Sequence, residues 1–230
     1  MGRWSVSPSL WEDDGTQLLA IFGVTLLLVS QAAAQTTTGS TPSSLPESST
    51  DQWSFAFNIS GYIVPHDRSY ASPTFSADRE HLHLGARYNY EDKETGSLWL
   101  GYNFSAGEKL VFEATPMIGG VFGTTNGLAP GYLASLSWKK IELSTEGEYV
   151  FDTKERTGSF FYSWMELAYS PRDWCRTGLV AQRTKAYHTD LDIQRGLFVG
   201  FSHKKVDFTT YVFNAGWTDP TVVLSLGFNF

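Results

Sequence analysis

Cysteine is almost absent: Cys175 is the only one in 230 residues, which excludes an intrachain disulfide framework as a source of stability. Helical periodicity is missing as well. From Trp53 onward no apolar stripe at i, i+3, i+4, i+7 persists over three turns, so a helical bundle is excluded. Long hydrophobic runs are reduced to one, Leu18–Val29, whose twelve residues fall short of the roughly 20 that a helix needs to cross a hydrocarbon core. Positive charge is scarce. Seventeen Lys and Arg stand against 24 Asp and Glu, a net charge of −7, which makes nucleic acid a poor candidate partner.

The apolar run has a specific reading. It is followed by Ser30-Gln31-Ala32-Ala33-Ala34-Gln35, where small side chains occupy the positions a signal peptidase requires, so residues 1–34 read as a secretory leader cut after Ala34. Arg3 supplies the expected positive charge ahead of the run, although Glu12, Asp13 and Asp14 work against it. That segment carries one arginine and three acids, so its removal leaves a net charge of −5. No cysteine lies near the cut to carry a lipid anchor. Residues 35–51 are rich in Ser, Thr and Pro with too little apolar surface to order themselves, and are expected to form a flexible tether ahead of a folded unit at 52–230.

What the chain does have is alternation of period 2. It is clearest at Trp53-Phe55-Phe57-Ile59, Leu82-Leu84-Ala86-Tyr88-Tyr90, Leu98-Leu100-Tyr102-Phe104, Tyr132-Ala134-Leu136-Trp138, Phe161-Ser163-Met165-Leu167-Tyr169 and Val206-Phe208-Thr210-Val212. Turn signals separate these runs at about 10–12 residues, the spacing of strands tilted across a bilayer. Short turns are expected at Ser105–Glu108, Lys139-Lys140, Ser170–Asp173 and His203–Lys205. Longer connections are expected at Glu91–Gly96, Gly119–Pro130, Asp152–Gly158, Tyr187–Asp192 and Ala215–Asp219. Alternation of short and long holds only if Ser69–Ala77 is a further strand turning at Asp78-Arg79-Glu80, despite Pro73. With it the count is about twelve; without it the neighbouring even number is ten.

The last segment, Val222 to Phe230, puts Val222, Leu224, Leu226, Phe228 and Phe230 on one face and Ser225, Gly227 and Asn229 on the other. Together with the leader, this resembles the closing strand of bacterial outer-membrane β-barrels, which ends in an aromatic residue read by the assembly machinery. The resemblance implies an all-β fold, an antiparallel transmembrane barrel of porin-like type, located in a Gram-negative outer membrane with lipid and that machinery as partners. Phe228 and Phe230 would be the assembly signal. Aromatic residues near strand ends, Tyr88, Tyr90, Tyr102, Phe104, Trp138, Tyr149, Phe151 and Tyr169, are similar to interfacial girdles. Periodicity alone equally suits a secreted, lipocalin-like ligand-binding barrel or a sandwich, in which the apolar face would point inward.

If the apolar faces meet lipid, the opposite faces line a lumen. Candidate lining residues are His81, His83 and Arg87, then Glu113, Glu142, Glu146 and Glu148, with Glu166 and Arg176. The glutamates form an acidic wall facing the two arginines, which suits either a plugged interior or a narrow wet passage with mild cation preference. His81-Leu82-His83 puts two imidazoles on one strand face, which falls short of a metal site. A hydrolase needs a nucleophile, a base and an orienting group, and neither Ser163 nor Ser144 has a histidine within reach, while Asp207 and His203 fall at a strand end. The expected function is therefore a small pore for small polar solutes, not an enzyme and without cofactor. A non-conducting structural barrel and a lipid-active hydrolase are the alternatives.

Overall fold

The computed structural model describes residues 52–154, 158–183, 193–216 and 220–230. The leader at 1–34, the whole tether at 35–51 and the connection expected at Tyr187–Asp192 lie outside the described residues, as do residues 155–157 and 217–219 within two other connections. Twelve strands follow one another in an antiparallel meander: β1 Ser54–Ile63, β2 Tyr70–Arg79, β3 Leu82–Tyr88, β4 in two segments Thr95–Tyr102 and Phe104–Ala106, β5 Leu110–Gly123 and β6 Gly127–Trp138. The second half consists of β7 Ile141–Asp152, β8 Phe160–Arg172, β9 Cys175–Arg183, β10 Gln194–His203, β11 Val206–Phe213 and β12 Thr221–Asn229. Both segments of β4 pair with β5 in one register, Gly101 opposite Met117 and Phe104 opposite Ala114. The interruption falls where Tyr102 and Asn103 stand opposite Pro116 and Thr115 of β5, and Pro116 has no N–H to give the ladder.

Each strand pairs with its successor, and β12 pairs with β1 from Ala56 opposite Asn229 to Ile63 opposite Val222, so the sheet closes on itself. Phe230 completes the seam. Its N–H donates to the Phe55 carbonyl at 2.9 Å and its carbonyl accepts from the Phe55 N–H at 2.8 Å. Closure leaves no edge, the condition for a sheet to stand in hydrocarbon, where an unpaired N–H or C=O finds no water.

The alternation sorts as a membrane barrel requires. Leu98, Leu100, Ile118, Phe122, Leu128, Leu179 and Leu197 are each more than half exposed, whereas the intervening Trp99, Val150, Tyr162, Phe198 and Phe213 are buried inside. An exterior this apolar is stable only against lipid, and the soluble ligand-binding barrel is thereby set aside. Val222, Leu224, Leu226 and Phe228 fall outside with Phe230, and Val223 and Ser225 inside. Cys175 is a half-buried free thiol.

One end of the barrel carries the start of β1 and the end of β12 together with five short turns, and we call it the near end; at the far end only the β5–β6 connection, residues 124–126, is comparably short among the described residues. The five near-end connections are of two or three residues, and Glu80, Lys139 and Lys204 open three of them with φ of 51°, 55° and 52°. Positive φ there matches the turn to the twist of the flanking strands. Two expectations shift. The β2–β3 turn is Glu80-His81 instead of Asp78-Arg79-Glu80, and Gly119–Pro130 is mostly strand, with only residues 124–126 connecting β5 to β6. Pro73 is accommodated inside β2 because the ladder with β3 begins at Thr74 opposite Arg87, so no bond to β3 is forfeited at that point.

Aromatic rings gather at the near-end exterior. Phe55 stacks on Phe230 at 6.0 Å and on Phe75 at 6.1 Å, Phe57 faces Phe228 at 6.5 Å, and Trp174 stacks on Phe201 at 6.1 Å. Deleting Phe230 therefore removes two seam hydrogen bonds and a stacked ring besides any recognition signal. Outer-membrane levels of the heat-modifiable form, read by gel mobility before and after boiling, are expected to fall by roughly tenfold or more on deletion, given net losses of about 1 kcal/mol per hydrogen bond and 0.5–1.5 for an aromatic pair. Val206→Thr, opposite Phe228 in the same seam region, should leave them within about twofold.

Candidate functional site

The interior divides into two halves. Toward the near end lies a cavity of about 580 Å³ lined by small polar side chains, among them Asn58, Ser60, Ser76, Ser135, Ser144 and Ser225, by Glu113, and also by Arg87, Tyr90, Glu146, Glu166 and Arg176. The far half is packed. Tyr62, Val64, Val180, Phe198, Phe213 and Val223 form one apolar cluster inside it, and Trp99, Met117, Val121, Ala129 and Val150 another.

Between the halves stand two arginine-centred networks. Arg87 on β3 donates from Nη1 to Glu148 Oε2 at 3.0 Å, with Glu146 Oε2 4.0 Å from Nη2, both glutamates on β7. Its guanidinium lies 4.5 Å from the Tyr90 ring and 4.8 Å from the Trp99 ring. Tyr90 and Tyr162 both donate their hydroxyls to Glu146 Oε1, Tyr162 at 3.2 Å. Glu91, fully buried, accepts from Ser97 Oγ and from Trp99 Nε1. The second network is built on Glu166, which accepts from Arg176 Nη1 at 3.1 Å, Tyr211 Oη at 2.8 Å and Trp164 Nε1 at 2.9 Å. The arginines supply the counter-charge that buried carboxylates need, although Glu91 Oε2 and Glu148 Oε1 are buried without a hydrogen-bond partner among the described residues.

Tyr90 and Glu91 enter the lumen through a local backbone event. β3 ends at Tyr88, and Asn89 and Glu94 adopt φ of 52° and 54°, which folds the β3–β4 connection inward. Asn89 stabilises the bend by donating from Nδ2 to the Ala71 carbonyl at 2.9 Å and accepting the Glu94 N–H on Oδ1 at 2.7 Å. Tyr90 is thus not a girdle residue: the left-handed step at Asn89 breaks the alternation that would have sent its ring to lipid, and the ring packs on Tyr162 at 5.1 Å. Asparagine is among the few residues that take this conformation readily, and that is the signal in the sequence by which the bend could have been found.

The remaining candidates fall as follows. His83 faces inward with Nδ1 2.7 Å from Asp78 Oδ1, and Asn103 Nδ2 donates to the same oxygen at 2.9 Å. His81 does not share that face. It sits in the β2–β3 turn, exposed at the rim, and stacks on the outward ring of Tyr102 at 4.8 Å, so the two imidazoles point to different surroundings. Glu142 accepts from Ser137 Oγ at 3.1 Å and Glu113 from Ser135 Oγ at 3.3 Å, both toward the near end. Ser163 is on the outward face of β8 and Ser144 lines the cavity, while Asp207 faces inward and accepts from Asn229 Nδ2 at 2.9 Å, one residue out of phase with Val206 opposite His203. No nucleophile, base and orienting group converge from these residues. Sequence reasoning missed Asp78, Glu91 and Tyr162.

Glycine makes room for the aromatic part of the plug. A Cβ on Gly119 would lie 2.6 Å from Trp99 Cδ2, and one on Gly131 3.1 Å from its Cζ3. Gly119→Ala is expected to cost about 1–3 kcal/mol by overpacking, measured by urea unfolding in vesicles. Arg87→Met should cost about 3–5 kcal/mol in the same assay, because it strands Glu148 and Glu91 without counter-charge. Arg176→Met should cost clearly less, since the Arg176 side chain is 34% exposed and solvent takes part of the load.

No protein-family model and no curated protein sequence matches the chain. Among solved structures it is similar to a KdgM porin, with a TM-score of 0.50 at 11% identity over 76% of this chain and 99% of that one. It is also similar to a KdgM porin in complex with disordered oligogalacturonate, with a TM-score of 0.51 at 10% identity over the same shares. The chain has the closed, twelve-stranded antiparallel architecture of bacterial outer-membrane porins.

Proposed function

We propose that the protein is an outer-membrane channel for small polar solutes with a mild preference for cations, its passage narrowed by the packed side chains of the far half. The observation that carries the proposal is the polar cavity of about 580 Å³ inside a lipid-facing barrel. At about 30 Å³ per water it holds on the order of twenty waters, room for a solute the size of a sugar or an amino acid. Acidic side chains outnumber the two arginines inside. Glu146, Glu148 and Glu166 are engaged by Arg87 and Arg176, so cation preference rests on Glu113 and Glu142, whose partners are serine hydroxyls. The complex with oligogalacturonate belongs to the KdgM porin. An anionic oligosaccharide is a poor fit to this chain, because both interior arginines are already held by carboxylates. The packed far half favours a second reading, a non-conducting structural barrel.

Planar-bilayer recording separates the two. Discrete conductance steps are expected, with larger steps for Tyr90→Ala, which removes a ring from the plug, and a weaker cation preference for the Glu113→Gln, Glu142→Gln double variant. Absence of steps for both the native chain and Tyr90→Ala would leave the structural barrel. Steps with unchanged selectivity in the double variant would remove Glu113 and Glu142 as the charge filter.

A further inference from the structure

Four successive near-end turns carry a run of cations that the lumen does not use. Lys109 closes the β4–β5 turn, Lys139 and Lys140 form the β6–β7 turn, Arg172 ends β8, and Lys204 and Lys205 form the β10–β11 turn. All six are exposed, and Glu108 and Asp173 are the acids among them. None of the six forms an ion pair among the described residues. Lys140 Nζ donates to the Pro171 carbonyl at 3.0 Å, bridging two adjacent turns, and Lys139 Nζ lies 4.6 Å from the Trp138 ring. The rest of the rim is different in kind: the chain ends and Glu80-His81 supply no lysine.

Directly beneath this arc the exterior is apolar and aromatic. Leu110, Trp138, Ile141, Tyr169, Trp174 and Phe201 are each 45% exposed or more. A molecule that satisfies both layers must be amphiphilic, with an anionic head at the lysines and an apolar body along the wall. We infer that the near-end arc from Lys109 to Lys205 is a binding site for anionic phospholipid, the phosphate-bearing head group held by the lysines and the acyl chains lying on the aromatic wall. A soluble acidic protein would use the lysines and leave the wall untouched, and the wall is what selects lipid. Lys139 already joins the two layers, its ammonium resting 4.6 Å from the outward ring of Trp138 at the rim. Juxtamembrane lysines attract anionic lipid over about a Debye length, so the site is salt-sensitive.

The test uses the protein isolated folded from outer membranes and reconstituted into vesicles of phosphatidylcholine with a minority of phosphatidylglycerol. Lipid retained after mild detergent extraction is counted by native mass spectrometry. Phosphatidylglycerol should be enriched over its bulk share by about fivefold or more, and the enrichment should fall toward one in the Lys139→Gln, Lys140→Gln, Lys204→Gln, Lys205→Gln variant. Heat-modifiable gel mobility verifies that this variant is a closed barrel. Lys154→Gln at the far end should retain the full enrichment, as should the quadruple arginine variant, which keeps the charge and stands in if the glutamine variant fails to assemble. High salt should lower enrichment for the native chain. Equal retention of the two lipids by the native chain, enrichment indifferent to salt, or displacement by millimolar inorganic phosphate as effectively as by lipid would overturn the proposal.

Discussion

The pairing of β12 with β1 is the constraint on which everything else in this molecule depends. A bilayer offers no hydrogen-bonding partner, so a sheet with a free edge would leave a row of N–H and C=O groups each costing several kcal/mol. Eight residue pairs from Ala56 opposite Asn229 to Ile63 opposite Val222, extended by Phe230 on Phe55, remove that edge. Closure also turns period-2 alternation into an inside and an outside. Without the seam, Arg87, Glu148 and Glu166 would share an open face with no reason to converge; with it, strands distant in sequence meet across the lumen.

The interior resolves a conflict between size and solvation. A twelve-strand ring is wide enough to hold water, and here the near half is lined by serines and asparagine while the far half is filled by apolar side chains. The boundary is ionic. Arg87 between two aromatic rings and Glu166 under three donors each place charge against the inner end of the cavity and hold it with named partners. Such a partition is compatible with transport only if the boundary can rearrange, and its one component carried by a connection between strands is the Tyr90-Glu91 pair.

Surface and lumen impose separate requirements on the same strands. The outward positions are selected for lipid and the rim positions for the head-group layer, so the cationic arc at four consecutive near-end turns can differ from the rest of the rim without touching the lumen. Glycine mediates between the two faces. Gly119 and Gly131 yield space inward to Trp99, and Gly147 lies under the outward ring of Tyr132.

The architecture was legible in the sequence because burial in a barrel wall is a one-dimensional signal: Leu98-Leu100-Tyr102 and Phe161-Met165-Leu167 announce their face by every second residue. The need for paired turns narrowed the count to twelve or ten, and the presence of Pro73 inside β2 decides for twelve. Turn positions were less legible, as at Gly119–Pro130, since glycines and a proline that look like a connection serve as strand residues where neighbours need room. Of the lumenal networks the sequence offered Arg87, Glu146, Glu148, Glu166 and Arg176 as inward candidates, but neither Tyr90, Glu91 and Tyr162 nor the pairing of partners. The sequence by itself determined which side chains of a strand share a face, through alternation, and that Val222 to Phe230 forms an apolar strand. Only the tertiary structure decided that His81 leaves the lumen for Tyr102, that Tyr90 enters it, and that Arg87 takes Glu148 while Arg176 takes Glu166. The physical reason is that these outcomes depend on the φ of single turn residues such as Asn89 and on which strands closure sets across from one another.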